Sequence, residues 1–311
     1  MIKRLLVVCV ALAVLHLPHR SWAQFTDAHS YDNTPVGTNQ VELAYTYVHA
    51  NASLDTSIVV AGAKLNVNQG IINYTRYFGF FHHLMWVEAG VPVAGLSGSI
   101  SGTNIQGSTT GAGDSAYAFA MLLKGGLALT TEQFNHYHPT TTLGLSLTMT
   151  APTGSYQPNR ILNLGSDRWS FKPELAWSHP FGRDQKWEFD AYANVLLYTD
   201  NTAYRGKEIL RQDPLPGIEG HLSYSLTGNI WASFDTRYSF RGTTTVGEVP
   251  QDNAQQNLVL GTEMNISLNP RNTLIFEFAK AVVHNNGPAV VGFSVRYDYT
   301  WAKFTGKPGR P

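Results

Sequence analysis

The stretch Val291-Gly-Phe-Ser-Val-Arg-Tyr-Asp-Tyr-Thr-Trp301 limits what this chain can become more than any other. Val291, Phe293, Val295, Tyr297, Tyr299 and Trp301 alternate with Gly292, Ser294, Arg296, Asp298 and Thr300. Successive side chains of a strand point to opposite faces, so one face is apolar and aromatic and the other small, polar and charged. A tilted strand needs about 9–11 residues to cross a bilayer, which is the length of this run. A soluble sandwich strand alternates in the same way, usually over a shorter stretch. The choice between them rests on how often the pattern recurs.

It recurs along the whole chain. Leu143, Leu145, Leu147 and Met149 oppose Gly144, Ser146, Thr148 and Thr150. Trp169, Phe171, Leu175 and Trp177 oppose Arg168, Ser170, Lys172, Glu174 and Ser178. Phe234, Tyr238 and Phe240 oppose Ser233, Asp235, Arg237 and Ser239. Similar segments lie near residues 41–47, 116–124, 187–195, 219–226, 257–266 and 273–278, with weaker ones near 65–78 and 83–94. The total is roughly twelve strands, an even number as single-chain bacterial barrels require. Periodicity alone does not distinguish a barrel with its apolar face outward from a sandwich with that face buried. Connection lengths favour the barrel. Short links such as 79–82, 181–185, 227–229 and 269–272 alternate with long ones such as 51–64, 96–113, 153–167, 200–215 and 242–254. That is the asymmetry of periplasmic turns and external loops. The link 126–139 is long where a short one belongs, and 283–288 is short where a long one belongs. Pro173 falls within a strand and predicts a bulge there, and Pro92 predicts a strand boundary.

The amino terminus has Lys3 and Arg4 before an apolar core and ends in Ser21-Trp22-Ala23, the pattern of a signal peptide over residues 1–23. Cys9, the only cysteine, lies within it, so no disulfide framework is expected after cleavage. Removing Lys3, Arg4 and Arg20 from 22 basic and 22 acidic residues leaves 19 against 22. This balance offers no basic patch for nucleic acid. The 28 glycines, 12% aromatic and 14% charged residues suit strands and turns. The expected organisation is a signal peptide, an N-terminal periplasmic segment over 24–38, one all-β antiparallel transmembrane barrel over 39–302, and a C-terminal tail over 303–311.

One region carries a family resemblance. Ala151-Pro152-Thr153-Gly154-Ser155-Tyr156, then Asn163-Leu-Gly165-Ser-Asp-Arg168-Trp169 and Pro173-Glu-Leu, with Arg76-Tyr77-Phe78, Val91-Pro92, Gly113-Asp114 and Arg237-Tyr238 in order, resemble a family of outer-membrane proteins. Its members are known as transporters or as proteins of the meta-cleavage pathway of phenol degradation. The resemblance spans roughly residues 41–301 and implies an outer-membrane channel for small, aromatic or otherwise hydrophobic compounds in a Gram-negative bacterium. Ser115 stands where the family often has proline, and residues 302–311 continue past the terminal aromatic strand. Read physically, Pro152, Thr153 and Gly154 turn out of a strand, Asn163 and Gly165 form a second turn, and Trp169 starts the return strand at the interface. Tyr156 completes this loop motif, for which ligand contact is the other reading.

The polar faces place Arg168, Lys172, Glu174, Asp235, Arg237, Arg296 and Asp298 inside a barrel. Two readings stay open: a charged constriction that selects solutes, or a network that fills the interior. His82-His83 and His136-Tyr-His138 lack a neighbouring carboxylate or cysteine at ligand spacing, so no metal and no cofactor is expected from them. His221 and Ser223 share one strand face, which is a minimal hint of hydrolysis and no more. The reading is therefore a channel and not an enzyme, whose partners are outer-membrane lipid, the barrel assembly machinery and a small solute. The alternatives are a closed structural barrel acting through its loops, or a lipid-modifying enzyme.

Overall fold

The structure, a computed structural model, describes residues 26–51, 62–104, 106–160 and 162–302. The expected signal peptide over 1–23 and the tail over 303–311 lie outside the described residues.

The alternating segments form twelve barrel strands. They are β1 (Thr38–Ala50), β2 (Ala63–Phe80), β3 (His83–Ile100), β5 (Ser115–Lys124), β6 (Thr142–Ala151) and β7 (Ser170–Phe181). The second half comprises β8 (Trp187–Tyr198), β11 (Leu215–Thr227), β12 (Ile230–Arg241), β15 (Gln255–Asn269), β16 (Asn272–Asn285) and β17 (Val290–Ala302). Each pairs antiparallel with its sequence neighbour in the barrel. The last strand pairs with the first from Thr38↔Ala302 to Ala50↔Val290, which closes the sheet. Closure leaves none of the twelve with an open edge over its full length.

Side-chain direction settles the inversion that periodicity left open. Ile72 (61% exposed) and Phe234 (56%) point outward, whereas Asp190 (0%) and Arg237 (2%) are enclosed. An apolar exterior around a charged interior is the arrangement of a membrane barrel, because lipid is the solvent on the outside. No helix among the described residues is long and apolar enough to cross a membrane.

Both proline expectations need correction. Pro173 pairs with Leu147 in β6, and the ladder to β8 resumes at Glu174↔Asn194 in the register of Phe171↔Leu197, so the chain makes no bulge there. Pro92 lies within β3 and not at its boundary. Its missing donor falls where β3 changes partner, from Gly90↔Ala116 in β5 to Val93↔Ala112 in β4 (Gln106–Ala112). A ladder interrupted at that point needs no N–H from residue 92.

The turns at one end are short, while the link from β5 to β6 is long and carries a capped helical turn over Thr131–Phe134. At the other end, two loops contribute β9 (Asn201–Tyr204), β10 (Glu208–Gln212), β13 (Thr244–Val246) and β14 (Val249–Pro250), which form a separate small sheet.

Residues 26–37 depart from the periplasmic placement that the sequence suggests for 24–38. They enter the barrel, where Tyr31 packs on Trp86 and Tyr192 at ring distances of 5.6 and 5.2 Å. Gly144 makes room, since a Cβ there would lie 2.3 Å from the Tyr31 ring. The reason for the difference is chemical: the segment is polar enough to replace water against the charged wall.

Candidate functional site

The inserted segment is held by groups from across the barrel. Thr26 donates its backbone N–H to Glu219 at 3.0 Å and its hydroxyl to Glu174 at 2.8 Å. Tyr31 donates to Glu174 at 2.9 Å and its oxygen shares a second hydrogen bond with the Ser146 hydroxyl at 2.7 Å. The Val36 N–H reaches the Leu129 carbonyl at 2.8 Å, and Gly37 reaches Tyr77 at 3.0 Å. The long β5–β6 link thus anchors the entry of the segment. Beside it remains a cavity of about 450 Å³, bordered by Glu42, Glu88, Glu263, Asp298 and Arg296.

Asp27 is the hinge of the electrostatics. It pairs with Arg296 and lies 3.6 Å from Arg237. Burial pushes its carboxyl up, but Arg296 and Arg237 outweigh that and hold it below the usual carboxylate value. Arg237 also lies 3.0 Å from Glu277 and 3.6 Å from Glu219, while Arg296 lies 3.0 Å from Glu263 and 3.7 Å from Glu42. Lys172 lies 3.2 Å from Glu174.

Six of the seven residues expected in the lumen, Lys172, Glu174, Asp235, Arg237, Arg296 and Asp298, sit on inward faces of the barrel strands. Their pairing differs from what neighbours on one strand suggest. Asp235 accepts from Ser233 at 2.9 Å and meets His221 at 2.8 Å, while Arg237 reaches other strands. Arg168, also enclosed, belongs to the outer rim: it donates to Gln212 at 2.7 Å and covers the Tyr198 ring at 4.1 Å. His221 and Ser223 turn to different partners, His221 to Asp235 and Ser223 to His29 at 2.8 Å.

The outer half of the interior has a different character. Val48, Leu65, Val67, Leu96, Val259 and Val290 turn inward and form an apolar collar. Leu164 (2% exposed) is seated in it and Leu162 packs alongside. Both come from the loop 152–169, which therefore folds into the barrel.

The loop motif holds that shape. The Asp114 carboxylate accepts from Gly154 N at 2.8 Å, Ser166 N at 2.7 Å and the Ser166 hydroxyl at 2.6 Å. Thr153 accepts from Ser115 N at 2.9 Å, and Asn163 accepts from Gln157 N at 2.8 Å. Tyr156 accepts from Asn201 at 3.1 Å, which docks the loop on the small outer sheet. A side chain on Gly154 would meet Gly113 at 2.7 Å, and one on Gly165 would meet Gly154 at 2.8 Å. Pro152 follows the end of β6 at Ala151, and Trp169 exchanges bonds with Thr199 across the rim at 3.0 Å. Asp114→Ala should leave two partly buried backbone donors without this acceptor and cost about 1–3 kcal/mol. Proteolysis of the folded barrel would show it as faster cleavage within 152–169, and unchanged cleavage would count against Asp114 as the holding group.

The family described as Putative MetA-pathway of phenol degradation matches residues 31–297. The chain belongs to this family. Among solved structures it is similar to an outer-membrane channel from Pseudomonas putida F1, with 20% identity, a TM-score of 0.75, and coverage of 89% of this chain and 100% of that one. It is more loosely similar to the β domain of the Bordetella autotransporter BrkA, at 11% identity and TM-score 0.48, covering 86% and 100%. The transport unit of the autotransporter AIDA-I from Escherichia coli stands at 8% identity and TM-score 0.49, covering 91% and 95%. No curated protein matches the chain.

This member of the phenol-degradation family is thus a twelve-stranded antiparallel β-barrel that shares its fold with an outer-membrane channel. Outer-membrane barrels in general contact lipid and the assembly machinery. Sequence reasoning missed the inserted segment and the apolar collar. The first had one signal, an acidic and aromatic stretch, Thr26-Asp-Ala-His-Ser-Tyr-Asp, between leader and first strand. The second appeared only as weak alternation in β2 and β3, where both faces are partly apolar.

Proposed function

We propose that the barrel admits small, neutral, weakly polar compounds of the phenol class, with residues 26–37 and the loop 152–169 closing the path in the state described. The apolar collar carries this reading. An aliphatic neck inside a pore excludes ions, which cannot shed their water there, and admits solutes that lose little on leaving water. Below it, the carboxylates around the cavity offer acceptors for a phenolic hydroxyl. The family name agrees with that class of solute. Arg237, Arg296 and their partners then shape the inner wall and its negative charge.

The test is uptake of labelled phenol by cells with and without the protein. At low external concentration, where passage through the envelope limits entry, uptake should be several-fold faster with it; at high concentration the difference should vanish. Equal uptake at every concentration would reject the reading. A second reading, a closed barrel that acts through its outer loops, has one observation in its favour: the inserted segment and its ion pairs occupy much of the inner half.

A further inference from the structure

Beside the inserted segment, three acceptors point at one place. His29 Nδ1 lies 2.9 Å from Asp32 Oδ2 and 3.4 Å from Glu188 Oε1, and the three ligand atoms lie within 4.8 Å of one another. The Ser223 hydroxyl lies 2.8 Å from His29 Nε2 and can accept from it. With that proton on Nε2, Nδ1 turns a lone pair toward two carboxylate oxygens, which a bound cation makes favourable; without a cation, Nδ1–H bonds Asp32 instead. Asp190 fixes the backbone of the segment at this point: it is fully enclosed, and its Oδ2 accepts the His29 N–H at 3.2 Å. Trp231 closes one side, its ring 4.4 Å from the imidazole.

We propose that His29, Asp32 and Glu188 bind a divalent cation of the zinc class, which ties the inserted segment to β8. Ligands about 2.1 Å from such an ion lie about 3.0 Å apart at right angles and about 3.4 Å apart at the tetrahedral angle, so the two nitrogen–oxygen separations already suit it. One imidazole with two carboxylates favours zinc, cobalt or nickel over calcium, which prefers an all-oxygen set. The hydrogen bond from Nε2–H to Ser223 is the outer support that metal-bound histidines ordinarily have. The three ligands come from two separated stretches, so sequence spacing could not display them. The site does not depend on whether the barrel conducts.

The experiment uses the whole mature protein in detergent, stripped of metal with a chelator and titrated with zinc ion alone by equilibrium dialysis. One ion per barrel should bind saturably. Asp32→Asn is the main variant, because its side chain is 48% exposed and its loss spares the core. It should weaken binding about tenfold or more, as should Ser223→Ala acting through the imidazole. His29→Gln should abolish the site. The double variant His136→Gln, His138→Gln, at surface histidines outside the cluster, should leave it unchanged. Folded protein is verified in each case by its heat-dependent gel migration. No saturable zinc binding, or binding that His29→Gln and Asp32→Asn leave intact, would overturn the proposal and leave an imidazolium paired with carboxylates.

Discussion

Replacing Arg237 and Arg296 together by glutamine should destabilise the barrel severely. Arg237 faces Glu277, Glu219 and Asp27, and Arg296 faces Glu263, Glu42 and Asp27, all within 4 Å. Glutamine keeps much of the length and removes the charge, so five carboxylates lose their counter-ions in a closed interior. Breaking a buried pair by removing one partner costs about 3–5 kcal/mol, because the charge left behind has no water to return to. The two sites share Asp27, so their effects will not simply add. Heating the detergent-solubilised protein and following its gel migration or β-sheet signal should place the unfolding midpoint far below wild type. Arg237→Lys should lose less, since it retains charge but not the two-pronged donor. An unchanged midpoint in the double variant would mean that water screens these acids, and the filled-interior reading would fall.

The second large effect is on conductance. Deleting residues 26–34 removes the insert but leaves Arg237 with Glu219 and Glu277, and Arg296 with Glu263 and Glu42, so the barrel should still assemble. In planar bilayers the deletion alone should raise conductance only slightly, because Leu162 and Leu164 still fill the collar at the other end. Adding Leu162→Ser and Leu164→Ser should produce clear steps, roughly tenfold or more above wild type, because a wetted neck conducts where a dry one does not. The open form should prefer cations, given the acids that border the cavity. A folded combined variant with no channel would favour the closed structural barrel. Measuring stability and conductance on the same preparations keeps the two effects apart.

Much of the architecture was legible before any coordinates. The strict alternation of Val291–Trp301, repeated along the chain, fixes strands with one apolar and one polar face, and the loop asymmetry orders them into a barrel. The resemblance around Pro152–Trp169 pointed to the family. Residues such as Lys172, Glu174 and Arg237 could be assigned inward because a charged side chain has no favourable place in lipid. Their partners could not be assigned. Arg237 lies two residues from Asp235 in sequence, yet its ion pairs are with Glu219, Glu277 and Asp27. The same holds for the loop motif, whose holding group, Asp114, lies 40 residues before Gly154.

The sequence by itself therefore determined the strand pattern and the side of each strand that faces lipid, because these depend on local periodicity and side-chain solvation, while its motifs pointed to the family. Only the tertiary structure decided what fills the barrel. Whether residues 26–37 lie outside or thread within depends on how Asp27, His29 and Tyr31 fit groups more than a hundred residues away. Whether Leu164 is a loop residue or a stopper depends on Val48, Leu65 and Val259 meeting on one level of the wall. Closing the sheet brings those distant strands to a single height, and no spacing along the chain encodes that height.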